Sequence, residues 1–137
     1  MPHITASQFQ NRFVTLIIGG RDFPKKHLDR HILFISAILG LEPQRQYSES
    51  ELNAELKKWV ARFGSHVKLD YATLRRFLVD ERYVRRDRTG TSYQVAATDV
   101  PYTFDRSIEA LDLEGLVVAA RTAQELKKQQ YLSEIKI

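Results

Sequence analysis

The chain has no cysteine, which excludes disulfides and thiolate chemistry and fits a reducing compartment. No apolar stretch approaches the roughly 20 residues that span a bilayer. The opening MPHITASQFQNRF lacks the basic region and apolar run of a secretory signal. A cytoplasmic protein with no membrane partner is therefore expected. Internal repeats, low-complexity tracts and a linker long enough to separate two domains are all missing. Catalytic signatures are equally scarce. There is no serine elbow, and at most two histidines cluster in sequence. Glu49 and Glu51 stand two apart, so on a helix they face differently and make a poor carboxylate pair. The expectation is a non-enzymatic protein with no cofactor.

What is present is ordinary globular composition, 43% apolar and 28% charged over 137 residues. That length suits one domain, residues 1–137, burying roughly 65–70% of its extended-chain surface. The net charge of +4 is mild but uneven. Between Arg62 and Arg88 there are eight basic and four acidic residues, a surplus equal to that of the whole chain. A local field of this kind gathers polyanions, though its size argues against tight, purely electrostatic binding.

The stretch from Tyr47 to Val95 carries the strongest signals. Leu52, Leu56, Trp59, Val60 and Phe63 make one stripe of a helix, and Ser48 with Glu51 fits a capping box at its start. Gly64-Ser65 ends it. Asp70 is an N-cap candidate for a second helix, with Tyr71, Leu74, Phe77 and Leu78 on one face. YVRR and TSYQV follow as two strands around Asp87-Arg88-Thr89-Gly90, where Gly90 supplies the positive φ of a short hairpin loop. Gln46-Tyr47 is a candidate short strand pairing with that hairpin. Helix, helix and hairpin in this order are the layout of a winged helix-turn-helix. One departure weakens a direct DNA-reading role: Gly64 to Leu69 is six residues, where such motifs use a turn of about three or four.

Upstream, residues 5–18 read as a helix with Thr5 and Gln8 as a capping box and Phe9, Phe13, Leu16 and Ile17 inward. Gly19-Gly20 is a connector, since a phosphate loop needs further glycines or a Gly-Lys-Ser/Thr. A second helix is expected from about Lys26 to Leu39, with Leu28, Ile32, Ile35, Ile38 and Leu39 inward and Gly40 closing it. His27 and His31 share a face there, but two imidazoles are too few for a closed metal site. Surface or capping roles are expected, and no metal. After Val95, AATDVPYTF reads as a connector interrupted by Pro101. Asp105 to Gln130 turns helical again, with Ile108, Leu111, Leu116, Ala120, Ala123 and Leu126 as an imperfect stripe. A bend or break is expected at Gly115, and YLSEIKI is either a last helical turn or an extended tail. This helix covers the core's flank or pairs with a second copy, which makes a homodimer through it a candidate assembly.

The fold class expected is mainly α with a small β-hairpin (α+β). It has a winged helix-turn-helix-like core over residues 24–95, extra N- and C-terminal helices, and a C-terminal helical extension over 103–131. If the core binds double-stranded DNA, the helix candidates for contact are Thr73, Arg75 and Arg76, and the hairpin candidates are Arg85, Arg86, Arg88 and Thr91. His66 and Lys68 lie ahead of the helix within reach of phosphates. Most of these suit backbone positioning, because arginine grips phosphate as readily as guanine. The bland use of Arg75 and Arg76 is interhelical ion pairing with Glu49, Glu51 or Glu55. Arg85 and Arg86 point to opposite faces of their strand, so only one lines any single surface. The expectation is thus a DNA-binding transcriptional regulator or regulator-associated domain. Its rival is a protein-interaction or oligomerisation module that binds no nucleic acid.

Tyr47-Ser48-Glu49-Ser50-Glu51-Leu52-Asn53, then Leu74-Arg75-Arg76-Phe77-Leu78-Val79-Asp80, then Arg86, Gly90 and Tyr93 together resemble an uncharacterised bacterial domain-of-unknown-function family. The resemblance covers roughly Pro24 to Val95. It implies a winged-helix-like domain that occurs alone or attached to helix-turn-helix regulator modules. It carries no established catalytic or binding residues to transfer.

Overall fold

The computed structural model describes residues 2–20, 22–96 and 100–135. The chain is mainly α with a small antiparallel hairpin. Helix α1 (Ala6–Ile18) starts at Thr5, whose hydroxyl accepts the Gln8 amide at 3.1 Å, and buries Phe9, Phe13 and Ile17. Helix α2 (His27–Ile38) follows, then α3 (Glu49–Arg62) and α4 (Tyr71–Asp80). Both halves of the Ser48–Glu51 capping box form at the start of α3. Asp70 caps α4 by accepting the Thr73 amide at 2.7 Å.

Helix α2 is the centre of the molecule. Nine of its twelve residues are buried, including Asp29, His31 and Ser36. A one-sided stripe was the expectation, but Leu28 and Leu39 are only half-buried while Leu33, Phe34 and Ala37 are enclosed. The reason is tertiary: α1 packs against α2 on one flank, while Trp59, Phe77 and Tyr83 reach it from other elements. Helices enclosed on all sides lose the polar face that makes them legible. Each buried polar residue on α2 has a partner. Arg12 grips Asp29 with two hydrogen bonds of 3.0 and 2.9 Å. Ser36 Oγ accepts from the Trp59 indole at 2.9 Å. His31 Nδ1 meets Tyr83 Oη at 2.6 Å.

The link between α3 and α4, eight residues from Phe63 to Asp70, holds a 3₁₀ turn, Gly64–Val67, closed by Lys68 in the left-handed region at φ 54°. Helix α4 ends in a Schellman arrangement, with the Tyr83 amide on Leu78 O at 2.9 Å and the Arg82 amide on Val79 O at 3.1 Å. Arg82 occupies the left-handed position there, at φ 68°.

Strand β1 (His3–Ile4) precedes α1. The hairpin is β2 (Val84–Arg86) against β3 (Tyr93–Val95), in register Val84↔Val95 and Arg86↔Tyr93. Tyr47 bridges to Tyr93 through reciprocal backbone bonds of 2.7 and 2.8 Å, the pairing expected of that segment. Strand β4 (Thr103–Phe104) pairs in parallel with β1. That pairing corrects the reading of the segment as a connector throughout, although Ala97 to Asp99 lie outside the described residues.

A 3₁₀ turn, Arg106–Ala110, comes next, then α5 (Leu113–Ile135). The break expected at Gly115 falls instead at Leu111–Asp112. The Asp112 carboxylate accepts the Gly115 amide at 3.0 Å and so caps the new helix. YLSEIKI continues the helix to Ile135, and Lys136 and Ile137 lie outside the described residues. Val117 is the buried residue of α5, which packs its first turns on α1. Ala123 and Leu126, expected inward, are exposed, since α5 at 23 residues is far longer than the 13-residue α1 it packs against. One apolar cluster extends from Ile4 to Val117 and takes in every helix. Among the described residues no helix is long and apolar enough to cross a membrane.

Candidate nucleic-acid interface and a histidine cluster

The nine residues expected at a nucleic-acid surface do not form one patch. A cleft of about 330 Å³ between α4 and the hairpin brings together Thr73, Arg75, Arg76 and Arg86, with Glu49 and Asp80 on its rim. Arg75 is tied to α3: its guanidinium donates to Asn53 Oδ1 at 2.5 Å and lies 3.6 Å from Glu49. For this arginine the interhelical use is the one observed. Arg76 is exposed and forms no ion pair among the described residues. Its charge helps hold the Asp70 carboxyl below its usual range, behind the larger effect of the hydrogen bonds from Thr73.

Arg86 lies over the hairpin turn, with its guanidinium against Gly90 at φ 73°. Because it lines the cleft, its strand neighbour Arg85 projects from the other face and is exposed. Arg88 stands exposed in the turn. Thr91 is engaged internally, its amide donating to Asp87 at 2.8 Å and its hydroxyl at 3.1 Å. Burial works to raise the Asp87 pKa, but hydrogen bonds from Ser92, Thr91 and Thr89 outweigh it and leave the carboxyl below its usual range. An ionised Asp87 thus organises the loop that carries Arg88.

His66 and Lys68 sit apart from the cleft. Arg121 of α5 reaches His66 Nε2 at 3.0 Å, and Lys68 pairs with Asp22 at 3.0 Å. Neither shares a cleft with Arg76 and Arg86, since the longer link carries them toward α5 and the α1–α2 connection.

A second constellation joins His27 and His31 to a carboxylate from far along the chain. The one-turn spacing of His27 and His31 brings their rings together, tilted by 42° with centroids 4.3 Å apart. Glu81, at the end of α4, completes a group whose ligand atoms all lie within 4.8 Å of one another. His31 is buried, correcting the surface or capping role expected of it, while His27 is exposed. Burial, with His27 adding its repulsion, pulls the His31 pKa down to about 4, so the ring is neutral at neutral pH. Tyr83, buried beside it, is pushed above its ordinary value, first by burial and then by Glu81. Tyr102 closes the outer side, its hydroxyl 3.0 Å from His27 Nδ1. The only local clue was the His27–His31 spacing, because Glu81, Tyr83 and Tyr102 arrive from far along the chain.

No curated protein and no solved structure matches the chain. A family model described as an uncharacterized protein conserved in bacteria, DUF2087, matches residues 21–95. That span holds all nine candidate contact residues together with His27, His31 and Glu81. With more than half of its length inside the match, this chain belongs to the DUF2087 family.

Proposed function

We propose that this protein is a double-stranded DNA-binding regulator, or a regulator-associated domain, that works by binding and not by catalysis. The carrying observation is the cleft between α4 and the hairpin, where Arg76 and Arg86 stand together. Arg85 and Arg88 extend positive charge over the exposed hairpin beside it. The chemistry favours contact with the phosphate backbone, because Arg75 is already held by α3 and leaves α4 few groups to read bases. The helix-helix-hairpin core plays the part of a winged helix in this reading, with the hairpin as the main contact.

Fluorescence anisotropy of labelled duplex DNA over a salt series tests it. Binding at low salt should weaken steeply as salt rises, and Arg76→Ala/Arg86→Ala/Arg88→Ala should lose most of it. Absence of binding at low salt, or binding unchanged in that variant, overturns the proposal.

A second reading, self-association through α5, is favoured by its exposed Val118, Leu126, Tyr131, Leu132 and Ile135. Leaving five large apolar side chains in water along one helix is unfavourable unless something covers them. Light scattering of the intact chain against Leu126→Glu/Tyr131→Glu separates the cases. A dimer that becomes a monomer supports the reading, and a monomer in both sinks it. If the dimer forms while DNA binding fails, the oligomerisation module is the surviving function.

A further inference from the structure

We propose that His27, His31 and Glu81 form a binding site for a single divalent transition-metal ion of the zinc class. Two imidazoles and one carboxylate are a donor set suited to zinc and its neighbours, and unlike the all-oxygen sets that hold magnesium or calcium. Three protein donors leave a fourth position for water.

One edge of the group, between His31 and Glu81, fits an ion better than it fits a direct contact. His31 Nε2 and Glu81 Oε2 are 3.5 Å apart. That is longer than the roughly 2.7–3.2 Å of an N–H···O hydrogen bond. It is close to the roughly 3.3 Å edge between two donors on a tetrahedral ion with bonds of about 2.0–2.1 Å. Both histidines have their other contacts in place. Tyr83 Oη meets His31 Nδ1 at 2.6 Å, which leaves Nε2 as the nitrogen that faces Glu81. Tyr102 Oη meets His27 Nδ1 at 3.0 Å and fixes that ring. Outer partners of this kind orient metal-binding imidazoles.

Access and mechanical position also agree. His31 closes the inner wall, while exposed His27 and half-exposed Glu81 open the site to solvent. The Schellman turn at Arg82 holds Glu81 and Tyr83 on either side of itself, both toward α2. A bound ion ties α2 to the junction between α4 and β2, the root of the hairpin.

The plain alternative is a Tyr83–His31 hydrogen bond with the Glu81 carboxylate nearby and no ion. The tag-free, chelator-treated intact chain should be titrated with ZnCl2 by calorimetry and with CoCl2 by visible absorption. MgCl2 serves as control, and far-UV circular dichroism monitors the fold. The expected result is one zinc per chain, cobalt ligand-field bands of a four- or five-coordinate ion, and no magnesium binding. His27→Gln and Glu81→Gln, chosen because neither side chain is enclosed, should each keep the fold and weaken zinc about tenfold or more. No stoichiometric zinc binding overturns the proposal. So does zinc held equally well by both variants, which would assign the ion elsewhere, for example to His3 and Asp105, 2.6 Å apart.

Discussion

Arg12 on α1 holds Asp29 on α2 through a bidentate pair, Nε to Oδ1 at 3.0 Å and Nη2 to Oδ2 at 2.9 Å. Asp29 is almost fully enclosed, while the guanidinium keeps one side in water. The pair therefore locks the two helices in register at a carboxylate that has little solvent of its own. The hydrogen bonds that Arg12 donates to Asp29 also raise the Arg12 pKa, against a smaller effect of burial.

Removing the arginine leaves that carboxylate buried and alone. Breaking a fully buried pair costs about 3–5 kcal/mol. Arg12 is partly exposed, so Arg12→Ala should cost less, about 2–3 kcal/mol. The double change Arg12→Met/Asp29→Leu should cost less again, because no charge is stranded. Urea unfolding of the three proteins gives the order directly.

How much of this was legible beforehand depends on how local each signal is. The Ser48–Glu51 box, the Asp70 cap and the Gly90 turn each act within a few residues, and all three were readable. That Tyr47 pairs with the hairpin was also readable, though its partner there, Tyr93, was not singled out. Asp29, His31 and Ser36 were not readable as core residues, because their partners Arg12, Tyr83 and Trp59 lie 17, 52 and 23 positions away. The β1–β4 ladder spans two residues on each strand, too short to show a period of two. Within the candidate site the residue types were legible, and so was an interhelical use for Arg75 or Arg76, but not which of the two it would claim. Arg75 and Thr91 are used up by Asn53 and Asp87, and only folded geometry separates them from Arg76 and Arg86.

Arg82 carries a left-handed backbone at the Schellman turn, a position that glycine usually fills. The left-handed conformation costs a side-chain-bearing residue about 1–2 kcal/mol. Glycine gives back part of that relief, about 0.5–1 kcal/mol, through its freer unfolded chain. Arg82→Gly should therefore stabilise the protein by about 0.5–1 kcal/mol, read as a raised urea midpoint at unchanged slope. A lower midpoint would mean that the Arg82 side chain contributes something the turn geometry does not explain.

Acid should weaken the start of α3 in a defined window. The Glu51 pKa is lowered to about 2 by the Ser48 amide first, then by the Arg45 guanidinium and the Ser48 hydroxyl. Its folded value lies below the ordinary 4.5, so the box stabilises the fold above that pH. The contribution is lost progressively as pH falls from about 4.5 toward 2. Urea midpoints at pH 5, 3.5 and 2.5 should converge for the native chain and Glu51→Gln. A constant gap across that range would show that the carboxylate's charge is not what holds the cap.

Gly90 couples the hairpin's shape to the charge it presents. Its φ of 73° suits glycine, and a Cβ built there would run into the Arg86 guanidinium. Gly90→Ala therefore carries two penalties, about 1–2 kcal/mol of backbone strain and a displaced arginine. The hairpin's inner end is anchored by buried Tyr83, Val84 and Tyr93, so the helical core should stay folded. Stability should fall by about 1–2 kcal/mol, while far-UV circular dichroism at low temperature stays native. If the cleft between α4 and the hairpin is where DNA is gripped, anisotropy should also show weaker duplex binding, because Arg86 no longer lies beside Arg76. Arg86→Lys at native Gly90 separates the two effects, since it leaves the turn unstrained and removes only the forked donor geometry. Equal DNA affinity in both variants and the native chain would move the contact surface away from this cleft.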